Sequence, residues 1–341
     1  MECVNILGDG LAACCCAHLL SSAGFSLRVE PFTRSRPARL LLSEQTQSLL
    51  RDTFGAAHLF EHAQQVRKRI VLWGNAATPV ELPHSGLVVH EQELLSELWN
   101  RVAIPNPAPP LAGSPDPAWT VISVPKGESP VRLRGFGSRV ATVAMVELTR
   151  RAADDCCWAE SLPDGWLFLL PSGPGRAALI SCGYSPDDLI EESRLISGLV
   201  SGLEEATGAH HHPAFPQIRD ELCGPHWLAC GSAAMMFDPL CGEGAGHAVR
   251  EALLASAVIR ASAKGSPDDT LLAHYANRFM HGFLKHLQVC LPFYRSGGSS
   301  HFWKTEAAAL EVGIIWMQNR LREQAPPRYR LAGYELQPIS G

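Results

Sequence analysis

The amino-acid sequence predicts an α/β protein. It has a three-layer, Rossmann-like domain, an inserted and mainly antiparallel β-sheet domain, and a helical C-terminal region. Three observations carry this reading. A strand, a glycine turn, a helix and a second strand open the chain, short strand-like segments fill its middle, and a second glycine-rich turn runs into a long helical pattern late in the sequence.

Residues 3–7 read as a short buried strand, Gly8-Asp9-Gly10 as a turn, and residues 11–23, with few polar groups, as a buried helix that Gly24 ends. Residues 25–30 alternate toward a second strand, which completes a βαβ start. A helix over 43–53 with Ser43 as N-cap, strands over 67–73 and 87–90, and a helix over 91–102 follow. The proline-rich stretch 103–118 reads as a loop. Strands are expected at 119–124, 139–148, 156–160, 165–171 and 176–183, then an acidic amphipathic helix over 187–206. A short strand at 227–231, a long helix over 244–262 and a mostly helical pattern from 268 complete the chain. The expected division is a discontinuous domain of residues 1–118 plus 220–265, a sheet domain of 119–219 and a helical region of 266–341.

Composition narrows the function classes. The 341 residues are 46% hydrophobic and 18% charged, enough to bury a large core, and the net charge of -5 with scattered Lys and Arg gives no nucleic-acid surface. The 11 cysteines are odd in number, and three are adjacent on the first helix (Cys14, Cys15 and Cys16), so free thiols in a cytoplasmic protein are expected. No run reaches a membrane span. No CxxC pair occurs, and the adjacent His210, His211 and His212 point in different directions, so they read as a polar loop and no metal site is expected.

The first functional motif is Gly8-Asp9-Gly10-Leu11-Ala12-Ala13, which matches G-x-G-x-x-A between a strand and a helix. Gly8 permits the turn, Gly10 lets a pyrophosphate approach the backbone, and Ala13 lets helix and strand pack closely. Glu30, about 20 residues further on at the end of the second strand, stands where a carboxylate accepts ribose hydroxyls. Arg36 and Arg39 follow it as candidates for phosphate or substrate contact, the alternative being a solvated loop. The late segment runs from Gly231-Ser232 through Asp238-Pro239 to Gly242, Gly244, Ala245 and Gly246. Its glycines expose backbone N–H groups at a helix start, a place that stabilises negative charge.

In this order and spacing the two segments resemble the FAD-dependent aromatic hydroxylases and flavin halogenases, and residues 165–171 look like the W-x-W-x-I-P segment of the halogenases, with Phe168 and Leu170 substituted. The resemblance implies FAD as cofactor and monooxygenase chemistry on an aromatic ring. A narrower resemblance, carried by residues 238–259 and by His286, Cys290, Tyr294, Trp303 and Glu306, is to flavoproteins that mature quinone-cofactor amine and amino-acid oxidases. It implies a protein substrate, the precursor of such an oxidase, hydroxylated on a tryptophan. The alternatives are a flavin-binding assembly protein with little turnover and a small-molecule hydroxylase. His247 and Glu243, beside the late glycines, are the candidates for catalytic assistance. Three departures stand out. Gly231-Ser232 replaces the family's Gly-Asp, and Glu91 and Gln92 stand where the family has an arginine. The halogenase lysine has no secure counterpart, Lys68 being nearest and reading as a solvated strand end.

Overall fold

The computed structural model describes residues 2–32, 39–103, 118–125, 132–203 and 210–339. Arg36 and nearly all of the proline-rich stretch lie outside these residues.

In chain order the strands are β1 (Cys3–Leu7), β2 (Ser26–Glu30), β3 (Arg39–Ser43), β4 (Gln64–Leu72), β5 (Val80–His90), β6 (Trp119–Ile122), β7 (Leu133–Gly135), β8 (Val140–Leu148), β9 (Cys156–Leu162), β10 (Gly165–Pro171), β11 (Arg176–Gly183), β12 (Val200–Leu203), β13 (His210–Pro213), β14 (Gln217–Arg219), β15 (Cys223–Gly224), β16 (Trp227–Ala229), β17 (Met235–Met236), β18 (Tyr329–Ala332) and β19 (Glu335–Pro338). The helices are α1 (Leu11–Ser22), α2 (Glu44–Phe54), α3 (Glu91–Trp99), α4 (Pro186–Glu192), α5 (Gly244–Ala263), α6 (Asp268–Ser296) and α7 (His301–Arg322).

The opening βαβ unit forms because the apolar strand Cys3–Leu7 and the nearly polar-free helix α1 bury each other. Val4, Ile6 and every residue from Leu11 to Ala17 are buried. β1 sits between β2 and β6 with parallel register, and β16 extends the sheet in parallel on β6. The full order is β15-β16-β6-β1-β2. The strand at the end of the middle region thus returns to the first sheet.

The second sheet has nine strands, in the order β12-β8-β11-β10-β9-β4-β5-β3, with β13 also on β8. It is mixed rather than wholly antiparallel, since β4 and β9 run parallel from Lys68↔Cys156 to Leu72↔Glu160. Its two faces hold different cores. Trp166, Phe168 and Leu170 face the main core, while Leu167 and Leu169 face a separate cluster with Val146, Leu179 and Ile196.

Several expectations need correction. The helix over 187–206 stops at Glu192. The buried Glu160 carboxylate accepts the backbone N–H groups of Arg194, Leu195 and Ile196, which pulls the chain out of helical bonding before it joins the sheet as β12. The histidine run is a strand, not a loop, with His211 opposite Thr142 and bonded to its hydroxyl at 3.0 Å. The strand at 87–90 is the end of the longer β5, and β3 pairs with it. The C-terminus closes with the hairpin β18–β19, tied to α5 by Arg260 and Lys264 on Glu335. Ser43 does cap α2, accepting the Thr46 N–H, and along α7 Trp303, Leu310 and Met317 are buried in the core with Ile314 partly buried against it.

Candidate functional site

The two glycine turns line one cavity of about 270 Å³. Gly10, Leu11 and Ala12 contribute the start of α1, Ser123 follows β6, and Gly231 and Ser232 come from the late segment. Gly244 and Ala245 contribute the start of α5. The N-termini of two buried helices therefore open on the same space, with the unpaired N–H groups and positive dipole ends that favour an anion.

Glycine is required at particular points of this wall. Gly8 has φ +119°, and a Cβ there would lie 2.3 Å from the Ser123 hydroxyl, which itself bonds the Leu7 carbonyl at 3.0 Å. A Cβ on Gly231 (φ +58°) would meet the Ala12 methyl at 3.0 Å, so the late turn packs directly on α1. Gly244, in contrast, has open space where its Cβ would be. Ala13 is fully buried inside the βαβ packing, and Gly246 packs on Thr46.

Glu30 lies at the far side of the first turn. Its carboxylate accepts the Asn5 side-chain N–H at 3.0 Å and its carbonyl accepts the Gly8 N–H at 2.8 Å. Its neighbours Val29 and Pro31 line a second cavity of about 370 Å³ with Asp9, Gln92 and Trp99. Arg39 is not brought to these turns. Side chains alternate along β3, so Leu40 lines the central cavity while Arg39 bonds Ser172 and lines a separate one. Lys68 is exposed and paired with Glu81 at 2.8 Å, away from the glycine turns.

A third cavity, of about 820 Å³, adjoins the central one, because Met235 and Glu251 line both. His247 and Glu243 face it. His247 stacks on Phe237 with ring centroids 3.9 Å apart, and burial, helped by Arg250, His286 and Lys285, lowers its imidazole to about 3. The ring is thus neutral at ordinary pH and can accept a proton without first losing one. Glu243 pairs with Arg250 at 3.3 Å.

Asp238 and Pro239 act one step back from the cavities. Asp238 caps the single turn Pro239–Cys241 by accepting the Leu240 N–H at 2.9 Å, and Gly242 (φ +64°) ends that turn. The Asp238 carboxylate is buried against Arg139 at 2.6 Å, and Arg139 also binds Glu306 and lies 4.1 Å over the Tyr294 ring. Glu306 in turn accepts the Ser138 N–H and hydroxyl. His286 accepts the Asp238 N–H at 3.0 Å, and Trp166 donates to the Tyr294 hydroxyl at 3.1 Å. The far-apart C-terminal residues of the sequence pattern therefore converge on the turn that shapes the cavity. Among the described residues, the cluster of metal-type donors is Cys241, His286 and Cys290, within 4.8 Å of one another. The His286 lone pair is already committed to the Asp238 N–H, so this cluster fastens the turn to α6.

Two residues escaped the sequence reading. Arg139 carries no local signal, since its two carboxylate partners are about 100 and 170 positions away. Glu251 does carry one, being an acid in the apolar stretch of α5. It is buried, accepts the Gly231 N–H at 2.6 Å, and leaves its second oxygen, Oε1, without a partner. Burial raises its carboxyl well above the ordinary carboxylate range.

No family model and no curated sequence matches the chain. Solved structures do. The flavin-dependent halogenase CmlS superposes with a TM-score of 0.75 at 15% identity, over 94% of this chain and 71% of its own. The fold is that of the flavin-dependent halogenases and hydroxylases. QhpG, a peptidyl tryptophan dihydroxylase essential for tryptophylquinone cofactor biogenesis, matches with a TM-score of 0.74 at 18% identity, over 99% of this chain and 86% of its own. The oxygenase of 2-methyl-3-hydroxypyridine-5-carboxylic acid matches with a TM-score of 0.66 at 14% identity, over 87% of this chain and 90% of its own.

The residues present fit the cofactor of this fold. The open cradle at Gly244 and the two helix N-termini face the central cavity, and Glu251, whose buried Oε1 has no hydrogen-bond partner, is among its lining residues. Glu91, also on this cavity, is an acid where a pyrophosphate would profit from a cation, which leaves the phosphates to the backbone N–H groups of α1. No helix among the described residues is long and apolar enough to cross a membrane.

Proposed function

We propose that the chain binds FAD across its two glycine turns and hydroxylates an aromatic ring, that of a tryptophan in a partner polypeptide, during the making of a quinone cofactor in an oxidase precursor. The observation that carries this reading is the central cavity past Gly10 and Gly244, which adjoins the 820 Å³ space beside His247 through Met235 and Glu251, while a further cavity on the Glu30 side is lined by Asp9 and Gln92, the chain neighbours of Gly10 and Glu91. The peptide-modifying neighbour, which spans 99% of this chain, favours a polypeptide over a free small molecule.

The residues divide the work. The N-terminus of α1, from Gly10 to Ala12, holds the pyrophosphate, and Glu30 takes the ribose hydroxyls. Gly231, Ser232 and the start of α5 hold the flavin end, with Glu251 supplying the carboxyl that Ser232 lacks. Bound FAD supplies the oxygen chemistry. The walls of the large cavity exclude water and position the ring. His247, neutral and stacked on Phe237, takes up the proton released from the substituted ring carbon.

The test is to load the protein with FAD, reduce it anaerobically, and admit isotopically heavy dioxygen with a tryptophan-containing polypeptide from a candidate oxidase precursor. Heavy oxygen on the tryptophan ring is the expected result. Reoxidation that releases only peroxide with every polypeptide and every small aromatic offered would overturn the reading.

A further inference from the structure

The 820 Å³ cavity is electropositive in a chain whose net charge is -5. Arg69, Arg250, Arg278 and Lys285 line it. The two acids on its wall do not balance them. Glu243 is paired with Arg250, and the Glu251 carboxyl is buried with burial favouring its neutral form. Among the described residues no carboxylate pairs with Arg69, Arg278 or Lys285, and the Arg69 Nε has no hydrogen-bond partner.

The wall continues outward along α6 from the cation Lys285 to apolar residues. Lys285, Val289 and Phe293 follow at four-residue steps, so they share one face of the helix. Val289 and Phe293 are 45% and 44% exposed. Gly282, on the same wall, leaves open space where a side chain would fill it. From Arg278 to Phe293 the strip extends roughly 22 Å at about 1.5 Å per residue. That length matches roughly six or seven residues of extended polypeptide and far exceeds a single carboxylated ring.

We infer that this strip of α6 and the cavity behind it receive an acidic polypeptide segment, whose carboxylates meet Arg278 and Lys285, whose apolar side chains cover Val289 and Phe293, and whose aromatic residue enters beside His247. The inference rests on the proposed function for the role of that aromatic residue, but the docking stands on charge and shape alone. Opposite charge also speeds encounter and sets the direction in which the segment lies.

The experiment uses the full-length protein and fluorescent peptides of one length with a central tryptophan, flanked by Asp and Glu, by Asn and Gln, or by Lys. Binding is read by anisotropy at low and high salt. The acidic peptide is expected to bind at least about tenfold more tightly than the neutral one, and the preference is expected to shrink at high salt. Arg278→Glu with Lys285→Glu, both exposed positions, is expected to abolish that preference and favour the Lys-flanked peptide, with the thermal midpoint unchanged. Equal binding of acidic and neutral peptides would overturn the inference, as would a preference indifferent to the charge reversal. So would equal competition by a free carboxylated aromatic acid at the same concentration. Because anisotropy does not depend on turnover, an acidic peptide that binds but is never hydroxylated refutes the proposed function and leaves the docking site intact.

Discussion

The Glu251 carboxyl and the Gly231 backbone are joined by a 2.6 Å hydrogen bond that ties α5 to the late glycine turn. The bond uses one carboxyl oxygen and leaves the other, buried and unpartnered, on the wall shared by the central and large cavities. Ser232 follows this glycine, and the carboxyl that bonds the Gly231 N–H comes from Glu251, twenty residues downstream.

Glu251→Ala is expected to weaken FAD binding about tenfold, the worth of one lost hydrogen bond, whereas Glu251→Gln, which keeps both an acceptor and a donor, is expected to hold affinity within about threefold. Flavin fluorescence titration measures both. Stability follows the opposite logic. The folded Glu251 holds its proton above the pH at which the unfolded chain releases it, so its contribution is complete below about pH 4.5 and is lost as pH rises. Glu251→Gln is therefore expected to gain stability over the natural protein, by more at pH 8 than at pH 5.

Gly244→Val tests the central cavity without disturbing the core. A Cβ there has no atom of the described residues within 4 Å, so the unfolding free energy is expected to change by less than about 1 kcal/mol. FAD binding is expected to disappear, because the side chain fills the open cradle. Gly8→Val is the contrasting change. Its φ of +119° and the Ser123 hydroxyl 2.3 Å from the new Cβ predict a protein that folds poorly or not at all. Thermal melts with and without FAD separate the two.

Arg139→Met leaves Asp238 and Glu306 buried without a cation. The expected loss is about 3–5 kcal/mol of stability, read by chemical denaturation. Loss of the Asp238–Pro239 turn should accompany it. A variant as stable as the natural protein would show that the buried cluster holds nothing together.

His247 and His274 are held by burial at about 3 and about 4. Each binds a proton in the unfolded chain before it does in the folded one. Their contribution is thus intact above about pH 6.5 and is lost as pH falls toward those values. Denaturation midpoints of His247→Asn and His274→Asn at pH 7 and pH 4.5 measure it, and the variants are expected to lose less on acidification.

Much of this was legible in the sequence where local chemistry decides the outcome. The Gly8–Ala13 turn, the apolar α1 and the Gly242–Gly246 loop each announce themselves within a few residues. The helix expected over 187–206 failed because Glu160, far back in sequence, captures its backbone N–H groups. The histidine run became a strand because β8 offered it an edge. Arg39 was placed by the alternation of β3, which only the register with β5 reveals. Arg139 was invisible because its meaning lies wholly in two distant acids.

Everything turns on whether the two glycine turns hold one molecule of FAD. Titration of the flavin-free protein with FAD, followed by flavin fluorescence and isothermal calorimetry, gives the answer directly. One equivalent bound, with affinity lost in Gly244→Val and retained in Glu251→Gln, is the predicted result. A folded protein that takes up no FAD, or takes it up unchanged when the cradle at Gly244 is filled, would contradict it.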